Sequence, residues 1–405
     1  MSMIKPFAAL KPKQEFAADV IAPPYDVLNT AEARERAKGR PRSFLHISKP
    51  EIDLPEGTDP YDKSVYQKGL ENLNKLIENK ILTRDDKPNY YLYKLRMGNQ
   101  EQTGLVAIAS VADYDSNKIR KHEYTRPVKE DDRVNQIDAL NAQTGPVFLT
   151  YRHNDTIDSI ASKIIKNKPL YDLKADDGVN HSIWIIDDEQ DISLITDTFD
   201  AMECLYIADG HHRSAAASRI AKMRDNENSK YFLSVIFPDN QMNILDYNRV
   251  IKDLNGLDEK DIVDKISESF SIEKISEQVK PESAGTFGMF LNNQWYRLKI
   301  KSNLVPDNDP VARLDVSLLQ NNLIEPLFNI ADPRVDNRID FVGGIRGLGE
   351  LEKRVQSGEM KIAFSLFPTS LDDLMSVADA NKVMPPKSTW FEPKLADGLV
   401  SHVLD

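Results

Sequence analysis

Cys204 to Ala208 is a run of five apolar residues, the length of a buried strand, and the polar box Asp209-Gly210-His211-His212-Arg213 breaks it. From Ser214 the period changes. Ala217, Ile220 and Ala221 recur on one face, and Lys222 and Arg224 supply cations suited to a helix C-terminus. The predicted order is strand, tight polar loop, helix. Upstream, Pro23-Pro24 forbid helix and leave Tyr25 and Asp26 on a stiff loop. A short helix is expected over Thr30–Lys38, begun by Asn29 or Thr30, and a strand over Ser43–Ile47. Pro60 opens a helix of roughly Tyr61–Asn79, with Val65, Leu70, Leu73, Leu76 and Ile77 on one face. Tyr90–Met97 and Thr103–Val111 read as paired strands about Gly98-Asn99.

Between Lys118 and Arg133 the composition shifts to ten formal charges in sixteen residues. Pro127 fits the first turn of a helix running through Val134, Ile137 and Leu140 and ended by Gly145-Pro146. Strands at Val147–Tyr151, His181–Ile186 and Tyr231–Phe237 alternate with helices near 156–167 and 190–200, which argues for an α/β arrangement. Residues 251–307 read as a small appended α+β module, with a helix near 258–269 and a hairpin across Asn292-Asn293. Farther on, Arg338–Val342, the glycine-rich Gly343–Gly349 and a helix from Glu350 repeat the strand, loop, helix order, without the spacing of the dinucleotide fingerprint. Met384–Lys394 carries too many prolines for regular structure, and fits a loop that closes over a site or packs on the body. The expected division is 1–115, an N-terminal α/β region; 116–250, the core with the motifs; 251–307, the module; and 308–405, the C-terminal region.

Composition narrows the partners. The 405 residues carry a net charge of -12, which disfavours general binding to a nucleic-acid backbone and leaves room for small anions at a local positive pocket. No run of eighteen apolar residues predicts a membrane span, the N-terminus lacks the pattern of a secretory signal, and a single cysteine excludes an internal disulfide. A cytoplasmic location is the expectation.

The chemistry concentrates in the box. A strand-to-helix loop aims unpaired backbone N–H groups, the positive end of the helix dipole and Arg213 at one place, an arrangement that favours phosphate. The same residues also fit a plain turn in which Asp209 caps and Gly210 bends. His122-Glu123 precedes the charged helix, where an anion is electrostatically favoured. A zinc site from His122, Glu123, His211 and His212 is an alternative that spacing disfavours, because neighbouring ligands in one short loop rarely converge and no His-x-x-x-His pattern is present.

Taken together, Pro23-Pro-Tyr-Asp-Val27, His122-Glu-x-Thr-x-x-x-Lys-Glu-x-Asp-Arg133, Asp209–Arg213, Gly343-Gly344 and Met384–Lys394 resemble a widespread, mostly bacterial family of uncharacterised ParB-like proteins. The box also resembles that of the ParB and sulfiredoxin superfamily, and more closely that of free serine kinases. The resemblance implies a mixed α/β fold with a nucleotide-binding core and additional α/β modules. It further implies ATP or ADP with Mg²⁺ as cofactors, and phosphoryl transfer to a small hydroxyl acceptor such as a free amino acid. In that reading Glu123 is the base, with His122 and His212 as further catalytic candidates. Asp209, Gly210, His211, His212, Arg213 and Ser214 cradle phosphates, Arg126, Lys129 and Arg133 offset charge, and Gly343, Gly344 and Arg346 form a second phosphate loop. Asp209, Glu130 or Asp132 hold the Mg²⁺. His211 stands where sulfiredoxin has its catalytic cysteine, so thiol chemistry is not implied, and no DNA-reading helix follows Arg213. A nucleotide-binding switch without transfer is the alternative. A nuclease fits the acidic composition least.

Overall fold

The structure, a computed structural model, describes residues 2–224 and 226–405. It divides into two compact units, residues 1–242 with 393–405, and residues 243–392. The four regions expected from sequence regroup accordingly: 1–115 and 116–250 share one sheet, and 251–307 belongs to a larger sheet with strands on either side of it.

The first unit is built on a nine-stranded mixed sheet. Its strands are β1 (Ile4–Lys5), β2 (Tyr90–Met97), β3 (Gln100–Ser110), β4 (Ile119–Arg120), β5 (Val147–Tyr151), β6 (Tyr171–Lys174), β7 (Asn180–Ile186), β8 (Leu205–Asp209) and β9 (Tyr231–Pro238). The order is β4-β8-β5-β9-β3-β2-β7-β6, with β1 paired to β3. β8 runs parallel to β4 and β9 parallel to β5, and the other pairings are antiparallel. The fold is therefore mixed α/β, and the alternation after residue 147 does not wind a parallel sheet.

Helices form close to where the periodicity placed them: α1 (Thr30–Ala37), α2 (Lys63–Glu78), α3 (Pro127–Leu140), α4 (Asp155–Ile164), α5 (Glu189–Asp200) and α6 (His211–Met223), with α1 and α2 burying their faces in a core of their own beside the sheet's. Asn29 caps α1 in a reciprocal capping box with Glu32. α2 starts behind Asp62 rather than at Pro60, because the Asp62 carboxylate accepts from the Ser64 N–H. α3 begins at Pro127 and ends at Asn141, whose left-handed backbone (φ 51°) stops it before Gly145-Pro146. The strand expected over Ser43–Ile47 is instead a helical turn, Leu45–Ser48. Phe44, Leu45 and Ile47 all face one core, which a short apolar run permits in either conformation.

The second unit carries a six-stranded antiparallel sheet of β10 (Tyr247–Ile251), β11 (Phe270–Ile275), β12 (Thr286–Leu291), β13 (Gln294–Ile300), β14 (Ile339–Gly343) and β15 (Ile362–Leu366), in the order β11-β13-β12-β15-β10-β14. The expected hairpin turns through Asn292 and Asn293, both at positive φ, the geometry of a type I′ turn. Within this unit Gly343 and Gly344 have a packing reason to be glycine. A Cβ on Gly343 would lie 2.8 Å from the Trp390 ring, and one on Gly344 would overlap the Asp246 carboxylate. The proline-rich tail packs here too: Trp390–Glu392 pairs with Asn243–Leu245, and Phe391 is buried.

Candidate functional site

β8 ends at Asp209, and Gly210 takes φ 97°, ψ 27°, a conformation that favours glycine. The chain reverses at once, so α6 starts at His211, three residues earlier than the apolar period places it. His211, His212 and Arg213 form the first turn of a helix rather than a loop. Their backbone N–H groups have no carbonyl partner within the helix; the first bond is from Ser214 N to Gly210 O, 3.0 Å.

α3 packs along α6 through Val134, Ile137, Ala216 and Ile220, and the two motif-bearing segments meet at their N-terminal ends. The Arg126 N–H donates to His212 Nε2 at 3.0 Å, and the His122 N–H to His211 Nε2 at 3.4 Å. The His122 and His211 rings stand edge to face, 4.5 Å apart. Burial pushes the His122 imidazole down to about 4 and, with the neighbouring His122 ring, holds His211 well below the usual range. Both are neutral at neutral pH. His122 Nδ1 is buried with no hydrogen-bond partner. Candidate ligand atoms of His122, exposed Glu123 and His211 lie within 4.8 Å of one another.

The carboxylates offered as alternatives for Mg²⁺ do not form one cluster. Asp209 accepts from its own Gly210 N–H (2.8 Å) and from Lys394 Nζ (3.0 Å). Burial opposes its ionisation, yet Lys394 and Arg213 pull its carboxyl well below the ordinary range. Glu130 accepts from Thr125 and Arg219. Asp132 accepts from the Tyr66 hydroxyl (3.0 Å) and from two nitrogens of Arg133 (3.1 and 2.6 Å). Among the described residues, His122, Glu123 and His211 are the group of three ligand-type side chains that the fold does bring together.

Two of the expected phosphate cations are used otherwise. The Arg213 guanidinium folds back past Gly210, donates to the Pro146 carbonyl and faces Asp26 at 4.0 Å. Arg133 lies over the Tyr25 ring at 3.9 Å. Both line a cavity of about 30 Å³ with Tyr25, Thr144, Gly145 and Asp397. That is room for about two waters and far too little for a nucleotide. Ser214 is buried, its hydroxyl donating to the His211 carbonyl at 3.0 Å. Arg126 and Lys129 remain on the exposed side, Lys129 donating to the Tyr61 hydroxyl at 2.9 Å. Arg346 is exposed in the second unit, with Gly343 and Gly344.

Lys394 and Asp397 received no role from sequence. Lys394 closes the Met384–Lys394 motif, which marked the stretch without pointing to Asp209. Asp397 has no motif signal; only the fold sets it beside Arg213.

A family model described as "Protein of unknown function (DUF1015)" matches residues 4–317. Comparison with curated proteins finds no match. Similar solved structures include a free serine kinase in complex with AMP, 12% identical over 71% of this chain and 86% of that chain, with a TM-score of 0.36. SbnI with C-terminal truncation from Staphylococcus aureus is 10% identical over 73% and 86%, at 0.40. A conserved hypothetical protein from Pyrococcus furiosus is 13% identical over 73% and 94%, at 0.35.

Proposed function

The chain belongs to the DUF1015 family of proteins of unknown function, and from that premise we propose that the first turn of α6 binds the phosphates of ATP or ADP for transfer to a small hydroxyl acceptor such as free serine. The observation that carries this reading is the junction of the two motifs, in which His212 Nε2 accepts from the Arg126 N–H. It brings the N-terminal ends of α3 and α6 together, so that the positive ends of two helix dipoles are available to an anion. The N–H groups of residues 211–213 offer donors, and Arg126 and Lys129 add charge at the exposed edge. Arg213, held by Pro146 and Asp26, positions the turn rather than gripping the nucleotide.

In the transfer step the acceptor oxygen forms a bond to the terminal phosphorus while the bridging P–O bond breaks, and the nucleotide leaves with that electron pair. Glu123, exposed beside the two rings, takes the acceptor proton. Such chemistry depends on position and charge more than on covalent help. Asp209, Glu130 and Asp132 do not fit a shared Mg²⁺ site, so no step is assigned to them.

The test is a melting-temperature screen with ADP, ATP, GTP and CTP in Mg²⁺ buffer. A ligand at about 100 times its Kd stabilises by about 2.7 kcal/mol, and the double variant Arg126→Ala/Lys129→Ala is expected to lose most of that gain. With an acceptor identified, Glu123→Gln should keep the nucleotide shift and lower turnover on the order of 10²–10⁴-fold. No shift with any nucleotide overturns the reading, and an unaffected Glu123→Gln removes the base assignment.

A further inference from the structure

We propose that His122, Glu123 and His211 form a binding site for one divalent transition-metal ion of the zinc class. The proposal goes beyond the phosphoryl-transfer reading and does not rest on it. The ligands come from two segments far apart in sequence, the adjacent His122 and Glu123 in the loop ahead of α3 and His211 in the first turn of α6, and the fold meets the objection drawn from spacing by bringing one atom of each together. Their donor atoms already lie within 4.8 Å of one another. Zinc bonds of about 2.1 Å hold ligand atoms roughly 3.4 Å apart in a tetrahedron, so closure needs side-chain adjustment in which a metal at His211 Nε2 replaces the 3.4 Å hydrogen bond from the His122 N–H.

Three features distinguish this trio from an ordinary pair of packed histidines. An edge-to-face contact accounts for the 4.5 Å ring separation but leaves His122 Nδ1 buried and unpartnered, and buried polar atoms are normally satisfied. The Ile207 backbone lies against the same ring, and an imidazole that donates one N–H to a carbonyl keeps the lone pair of its other nitrogen for a metal, the second partner that metal-bound histidines commonly have. Finally, the donor set is two imidazoles and one carboxylate, which suits zinc, cobalt or iron, whereas Mg²⁺ prefers an all-oxygen shell. Three protein ligands leave at least one position for water or a substrate oxygen, the pattern of catalytic rather than structural sites. An ion there would make Glu123 a ligand as well as the candidate base.

The experiment is carried out on the full chain without nucleotide. Chelator-treated protein is titrated with Zn²⁺ by calorimetry, and the absorption spectrum is recorded with Co²⁺, whose visible bands report coordination by protein ligands. One ion per chain is expected, with a Co²⁺ spectrum of four- or five-coordinate type. Glu123→Gln, a nearly isosteric change at an exposed position, should weaken affinity by more than about tenfold. His122→Asn should abolish the Co²⁺ bands. His46→Gln, at a histidine bonded to Asp53 elsewhere, should change neither. Absence of stoichiometric binding by the wild-type chain, or binding that survives both Glu123→Gln and His122→Asn, overturns the site. Zinc binding without any nucleotide shift would overturn only the phosphate reading, and the reverse only the metal site.

Discussion

Asp397 shows how a single buried carboxyl ties the site to the stability of its unit. Its backbone pairs with Ala22 in both directions, so the side chain is held at the cavity beside Arg213, Arg133 and Asp26. Burial pushes its carboxyl up to about 7, against the pull of Arg213 and with the push of Asp26. A carboxyl raised in the fold over its unfolded value contributes stability that is complete below the unfolded pKa, and that stability is lost as pH rises toward 7. The slope is about 1.4 kcal/mol per pH unit between about 4 and 7. Asp397→Asn removes the ionisation. The variant should therefore gain on the wild type over that window and no further above it. Urea melts of both proteins at about pH 4.5, 6 and 7.5 measure the difference, and a constant difference across the three would contradict a protonated Asp397 in the fold.

At the scale of elements, the site depends on α3 lying against α6, and two kinds of contact compete to explain why it does. Arg219 reaches Glu130 (3.1 Å) and Asp131 (2.6 Å), but its side chain is 43% exposed, and pairs in water contribute about 0–1 kcal/mol. Ile220 is fully buried with Val134 and Ile137, and truncating such a side chain costs about 2–5 kcal/mol. Arg219→Ala should leave the denaturation midpoint nearly unchanged and Ile220→Ala should lower it markedly; equal effects would mean that charge, not packing, aligns the helices. The packing face was legible in the helical spacing of apolar residues, as were the starts of α1 at Asn29 and of α3 at Pro127 and the pair of strands β2 and β3. The start of α6 was not. Gly210 offers no side-chain cap, so nothing in composition separates a polar loop from a polar first turn. The Leu45–Ser48 turn was hidden for a related reason, since five residues of mixed apolar character carry too little period to choose a conformation. Motif residues were recognised but their contacts were not: Asp209 and Lys394 are 185 residues apart, and only the folded sheet brings them within 3.0 Å.

At the scale of the whole molecule, the two-unit division predicts that the two halves of the chain tolerate cutting differently. Residues 243–392 are contiguous, close their own six-stranded sheet and bury their own cluster around Val250, Phe290, Trp295 and Leu351. As a fragment they should fold and unfold cooperatively. The first unit, by contrast, recovers residues 393–405 from the far end of the chain. Those residues bring Lys394 to Asp209, bond Ser401 to Leu10, pair His402–Val403 with Ala142–Gln143, and bury Leu399 and Leu404 completely. Losing two fully buried leucines alone removes roughly 4–10 kcal/mol at 2–5 each, comparable with the whole 5–15 kcal/mol by which a domain is typically stable. A chain ending at Glu392 should therefore keep the calorimetric transition of the second unit and lose that of the first, together with any nucleotide or metal binding at the start of α6. If both transitions persisted at their original temperatures, the last thirteen residues would be dispensable to the first unit, and the site would owe nothing to Lys394 or Asp397.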